Sequence, residues 1–143
     1  MNQYITFFIA HWELSFLFVA ALVWVVVTEI NSRRQDFVGI QAQEAVNLIN
    51  KKSAKIFDLR KIEAFQVGHI IGAKQMTFDP SKDDAKTRLK ITPQTHVLFV
   101  CYMGKTSAKV VQQLRAQGYL NTFSLNGGMA EWEKENLPVT KGK

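Results

Sequence analysis

The residue with the most chemistry to offer is Cys101, the one cysteine in a chain of 143 residues. It follows the apolar run Val-Leu-Phe-Val at 97–100 and opens the segment Cys101-Tyr102-Met103-Gly104-Lys105-Thr106-Ser107. Beyond that segment apolar residues recur at helical spacing over 108–117. A thiol between a strand and a helix faces unpaired backbone N–H groups and the positive end of the helix dipole, and both favour negative charge on sulfur. The thiolate is the reactive form of cysteine. The chain therefore presents one nucleophile candidate in a ready-made anion cradle. The competing reading is a buried cysteine acting as a small, inert hydrophobe.

Asp58-Leu59-Arg60 closes a second strand pattern. Asp58 and Arg60 are expected to cap or pair, bracing loops and supporting the cysteine segment indirectly. His69 is expected to pack and hydrogen-bond within the fold, and Met129 and Trp132 to lie in the core. Gly127-Gly128 reads as a tight strand-to-helix turn, because the wider GxGxxG pattern of a phosphate loop is missing. One cysteine rules out an internal disulfide and any cysteine-based zinc site. His11, His69 and His96 are too scattered for a metal cluster, so no metal is expected.

These groups need a scaffold. Residues 37–40 form a short apolar piece, and 41–51 carry apolar residues at helical spacing. Strand patterns follow at 55–59, 73–76, 97–100 and 122–125; helical patterns follow at 63–68, around 82–89, at 107–117 and at 129–136. Pro80 and Pro93 bound a charged surface excursion. The alternation predicts an α/β domain with a central, mostly parallel sheet flanked by helices. In such sheets ligands bind beyond the carboxyl ends of the strands, where both Cys101 and the 58–60 segment fall.

Charge divides the chain unevenly. All 18 Lys and Arg residues lie at or beyond Arg33, and the formal net charge is +6. No basic run with interleaved aromatics occurs, so nucleic acid is not an expected partner. Residues 14–28 are uncharged and cover roughly 22 Å as a helix, reaching a spanning length once the flanks 9–12 and 29–30 are added. Trp12 would anchor one interface, beside His11 and Glu13, and Arg33 and Arg34 would stay on the cytoplasmic side. A cleaved signal peptide needs a basic start and a small-residue cleavage site, and neither is present. The rival reading is a core helix of a soluble protein, against which Phe16 to Phe18 and Val23 to Val27 leave no polar face for solvent. The expected organisation is a transmembrane anchor at 1–30, a juxtamembrane linker at 31–36 and a catalytic domain at 37–143.

Several segments together resemble the rhodanese-domain family. Asp58-Leu59-Arg60 matches its Asp-x-Arg element, and Glu63-Ala-Phe65-Gln-Val-Gly68-His69-Ile70-Ile-Gly72-Ala73 matches Glu-x-Phe-x-x-Gly-His-Ile-x-Gly-Ala. Cys101-Tyr-Met-Gly104 is similar to the start of the loop Cys-x-x-Gly-x-Arg, and Gly118-Tyr119, Leu125-Asn-Gly127-Gly128 and Trp132 match the closing pattern. With the leading apolar segment, the chain resembles the membrane-anchored, single-domain bacterial rhodaneses. The resemblance implies a sulfurtransferase of the bacterial inner membrane, N-terminus outside and domain in the cytoplasm. Cys101 would take sulfane sulfur from a donor such as thiosulfate, hold it as a persulfide and pass it to a thiol acceptor, with no cofactor. The amides of Tyr102, Met103, Gly104, Lys105, Thr106 and Ser107 would form the anion-binding loop. Thr106 departs from the family: it stands where Arg is common, and a hydroxyl lacks the fork of donors that holds an oxyanion. A persulfidated protein or a small thiol persulfide is then the expected donor. The alternative is a rhodanese fold without strong catalysis, held at the membrane to bind a membrane protein.

Overall fold

A computed structural model describes residues 12–36 and 38–142. It divides at Arg34 and Gln35 into two units. His11, the flank 9–11 and Phe37 lie outside the described residues.

The first unit is dominated by α1 (Trp12–Asp36), 25 residues long. Within it Trp12–Ile30 has a mean hydropathy of 2.0, long and apolar enough to cross a membrane. Its large side chains are bare on every side, with Phe16 and Trp24 both about 70% exposed. The helix continues through 31–36, the segment expected to be a linker, because no glycine or proline interrupts the chain before Gly39.

The second unit runs β1 (Gly39–Ile40), α2 (Ala42–Lys52), β2 (Lys55–Asp58), α3 (Ile62–Val67), β3 (His69–Ile70) and β4 (Lys74–Gln75). It continues with α4 (Ala85–Leu89), β5 (Val97–Val100), α5 (Lys105–Ala116), β6 (Thr122–Leu125), α6 (Gly128–Lys134) and β7 (Val139–Thr140). Five strands form one sheet in the order β1-β6-β5-β2-β4, every neighbouring pair parallel. The mostly parallel sheet expected from the alternation is therefore present, and β5 and β6 occupy the expected residues.

The apolar run of β5 has a simple cause. Side chains alternate across a strand, so a strand buried on both faces must be apolar throughout. Val97 and Phe99 pack on one face with Ala108, Val111 and Leu114 of α5 and with Leu89 of α4. Leu98 and Val100 pack on the other with Ala42 and Ala45 of α2 and with Met129 and Trp132 of α6. Phe99 stacks against Phe57 with ring centroids 5.6 Å apart. The central strand is clamped between two helical layers, which holds its carboxyl end, and Cys101 after it, in a fixed place.

β3 and β7 pair antiparallel as a two-stranded ribbon, His69 opposite Thr140 and Ile70 opposite Val139. Two-residue strands are too short to show a period of two.

Candidate active site

Cys101 leaves β5 at its carboxyl end with 7% of its surface exposed. Its Sγ accepts the Gly104 N–H at 3.1 Å and the Ser107 N–H at 3.5 Å, and lies 3.3 Å from Ser107 Oγ. Of the amides from Tyr102 to Ser107, these two hydrogen-bond the sulfur. Both belong to the start of α5, whose N-cap is Gly104, so the sulfur sits at the positive end of a 12-residue helix. The loop turns back on itself at Gly104, where φ is +84°; a Cβ there would lie 2.8 Å from the Leu125 carbonyl oxygen. Glycine is required on both counts.

The same curl presents its carbonyls elsewhere. Met129 N–H donates to Cys101 O at 2.9 Å, and Ala130 N–H to Tyr102 O at 3.2 Å. The first turn of α6 thus occupies the carbonyls of Cys101 and Tyr102, while the Gly104 and Ser107 amides face the sulfur. This contact is as close as backbone allows: a Cβ on Gly128 would sit 2.2 Å from Cys101 O. The Gly127-Gly128 turn is therefore also a packing device for the cysteine loop. In the sequence the pair marks only a turn; two consecutive glycines are the available signal for close approach.

The remaining loop residues form an open rim. Tyr102 and Met103 are 63% and 57% exposed, and Lys105 and Thr106 are exposed beside them. Among the described residues the exposed Lys105 pairs with no carboxylate. Ser107 is wholly buried. Beneath it lies Ser124 of β6, with Oγ 2.7 Å from Ser107 Oγ. The sequence analysis does not single out Ser124; its only mark there is a second hydroxyl, two residues after Thr122, in the inward register of β6.

Asp58 ends β2 directly beside β5, opposite Val100, and Leu59 N–H donates to Val100 O at 2.8 Å. The two strand ends are neighbours, yet the side chains of Asp58 and Arg60 turn to each other. Arg60 Nε reaches both carboxylate oxygens at 3.0 Å, and Nη2 reaches Oδ2 at 2.7 Å. Nη2 also donates to Gly68 O at 2.6 Å, and Gln75 Nε2 donates to Arg60 O at 2.8 Å. This buried pair ties the segment 60–68 to the sheet edge and gives the cysteine loop no hydrogen bond of its own. His69 is likewise structural: its Nδ1–H donates to Phe65 O at 2.8 Å, and its ring stacks on Phe65 at 3.6 Å. Met129 and Trp132 lie in the core as expected. Among the described residues no group of acidic, His or Cys side chains converges as a metal site.

Comparison with known proteins bears on the family and the fold. The model of the rhodanese-like domain matches residues 41–135. YibN of Escherichia coli K12 is 32% identical over 143 residues, covering the whole of both chains. The thiosulfate sulfurtransferase GlpE of Tolumonas auensis is 32% identical over 96 residues, which is 67% of this chain and 88% of that one. Among solved structures, a rhodanese-like domain protein from Staphylococcus aureus superposes with a TM-score of 0.58 at 27% identity, over 73% of this chain and 98% of its own. The human single-domain sulfurtransferase TSTD1 shares the fold at a TM-score of 0.56, covering 68% of this chain and 96% of its own. A parallel sheet that ends in a curled cysteine loop, and a sequence match over most of that sheet, lead to one conclusion: the chain belongs to the rhodanese-like domain family.

Proposed function

We propose that this chain is a sulfurtransferase that carries sulfane sulfur on Cys101, tethered by α1 to the cytoplasmic face of the bacterial inner membrane. The observation that carries the reading is the sulfur itself: nearly buried, at the end of the central strand, accepting two backbone N–H groups at the start of a helix. Fixed amides stabilise an anion without reorganising, and they serve thiolate and persulfide alike.

The reaction is written in two steps. The Cys101 thiolate attacks the outer sulfur of a donor persulfide R–S–S⁻, forming Cys101–S–S⁻ and releasing R–S⁻. A second thiolate then attacks the outer sulfur of Cys101–S–S⁻, leaves with it as a new persulfide and restores the Cys101 thiolate. With thiosulfate the first leaving group is sulfite instead. Lys105 at the mouth draws anionic donors, while Thr106 offers no second cation to grip an oxyanion, which favours a thiol persulfide over thiosulfate. The GlpE relative is a thiosulfate sulfurtransferase by name, which supports keeping thiosulfate among the donors tested.

The test is intact-mass measurement of the full chain after exposure to thiosulfate and, separately, to a small thiol persulfide. The expected result is a gain of about 32 Da, one sulfur atom, that is reversed by a thiol and absent in Cys101→Ser. A wild-type chain that gains no sulfur from either donor overturns the reading.

A further inference from the structure

We propose that Ser124 is a positioning residue of the sulfur site, acting through Ser107: the two hydroxyls form a relay that turns a hydrogen onto Cys101 Sγ when sulfur is anionic and withdraws it when sulfur is a thiol. The proposal deepens the reading of Cys101 as a sulfur carrier and rests on it for its catalytic meaning.

Ser107 and Ser124 are 0% and 1% exposed, so no water helps them. A buried hydroxyl destabilises the fold unless partnered, and Ser124 shares its strand with Phe123 and Leu125. Each serine has one hydrogen and two lone pairs. Ser107 Oγ has three partners in reach: Cys101 Sγ at 3.3 Å, Gly104 O at 3.1 Å and Ser124 Oγ at 2.7 Å. Ser124 Oγ has two, Ser107 Oγ and, at 3.4 Å, Gly104 O. Gly104 O already accepts Ala108 N–H at 3.1 Å, so it needs no hydroxyl.

These distances allow two complete arrangements. With Cys101 as a thiol, S–H donates to Ser107 Oγ, Ser107 donates to Gly104 O, and Ser124 donates to Ser107 Oγ. With Cys101 as an anion, Ser107 swings its hydrogen onto Sγ and Ser124 continues to donate to Ser107 Oγ. The cysteine proton leaves for solvent, and neither serine gains or loses one. No buried polar group is stranded in either state, and donation from Ser124 polarises the Ser107 hydroxyl toward sulfur.

Cys101 is the single thiol, so alkylation of the full chain by iodoacetamide reads this site alone. The measured quantity is the pH at which the alkylation rate reaches half its plateau, with circular dichroism confirming each fold. Ser107→Ala should raise this midpoint by about one pH unit, a tenfold change in the anion-to-thiol ratio. Ser124→Val should raise it by about 0.3 to 0.5 unit, and Ser124→Thr, which has the shape of that valine but keeps the hydroxyl, should leave it in place. Adding Ser124→Val to Ser107→Ala should move it no further, because Ser124 acts through Ser107. If Ser124→Val does not fold, Ser124→Ala replaces it. A wild-type midpoint in the hydroxyl-free Ser124 variant, equal shifts in that variant and in Ser124→Thr, or additive shifts in the double variant would each overturn the relay. Sulfur uptake on the same samples separates the two proposals. Midpoints that move as stated in a chain that never gains sulfur sink only the sulfurtransferase reading. Unmoved midpoints in a chain that does gain sulfur sink only the relay.

Discussion

Replacing Gly128 by alanine should damage the cysteine loop from outside it. Gly128 has φ +58°, and an added Cβ would meet Cys101 O at 2.2 Å and Tyr102 O at 2.5 Å. Both atoms are backbone, so α6 must back away by about 1 Å to restore an ordinary contact. That movement breaks Met129 N–H to Cys101 O and Ala130 N–H to Tyr102 O. Left-handed backbone with a side chain costs about 1–2 kcal/mol, and two lost hydrogen bonds add about 1 kcal/mol each, for a total of about 3–4 kcal/mol. Gly118→Ala supplies the control. Its φ is +98°, yet nothing lies within 4 Å of the added Cβ, so it carries the backbone term of about 1–2 kcal/mol alone. Urea unfolding followed by far-ultraviolet circular dichroism gives both losses, and sulfur uptake at Cys101 is measured on the folded fraction. We expect Gly128→Ala to lose about 2 kcal/mol more than Gly118→Ala, and to lose sulfur uptake that Gly118→Ala retains. Equal destabilisation, or full uptake by Gly128→Ala, would refute the idea that α6 shapes the loop by occupying its carbonyls.

Arg60→Ala leaves Asp58, 1% exposed, without its counter-ion. Breaking such a buried pair costs about 3–5 kcal/mol, whereas the alkylation midpoint of the folded protein should stay where it is; a loss under about 1 kcal/mol would show that water reaches the pair. Asp84 caps α4, and hydrogen bonds from the Thr87 side chain and amide hold its carboxyl below the ordinary 3.8. The unfolded chain therefore binds that proton more readily, and the contribution is complete above about pH 4 and disappears as pH falls through the folded value. The urea midpoint should drop less between pH 5 and pH 3 in Asp84→Asn than in the parent, and equal drops would remove Asp84 from the account. Alkaline carbonate should leave the full chain in the membrane pellet, while deletion of residues 1–30 should release it. Protease added to spheroplasts should spare the 37–143 segment, and its digestion there would reverse the proposed orientation.

Much of the framework was readable along the chain because it depends on local pattern. A continuous Val-Leu-Phe-Val can bury both faces only between two layers, so residues 97–100 announced a central strand. Cys101 directly after it, with Gly104 in the following loop, located the candidate sulfur site. The uncharged run at 14–28 with its flanks marked a helix fit for a bilayer by length and composition alone, and the 19-residue span Trp12–Ile30 has that character. Family motifs at 58–60, 63–73 and 101–104 pointed to the rhodanese fold for the same reason: each is contiguous. Helix ends were less legible. α5 starts at Lys105, two residues ahead of the expected 107, because its first turn is set by the curl around sulfur and not by apolar spacing.

What the one-dimensional pattern could not contain was anything made by residues far apart. Ser124 stands 17 positions from Ser107 and reaches it only because β5 and β6 lie side by side in the sheet. The grip of α6 on the cysteine loop, the turning of Arg60 onto Asp58 and Gly68, and the β3–β7 ribbon depend likewise on packing between elements. Composition and spacing determined which elements form and where a reactive sulfur could sit. Tertiary structure decided which hydrogens point at that sulfur, since the direction of an amide or hydroxyl is set by the neighbours that compete for it.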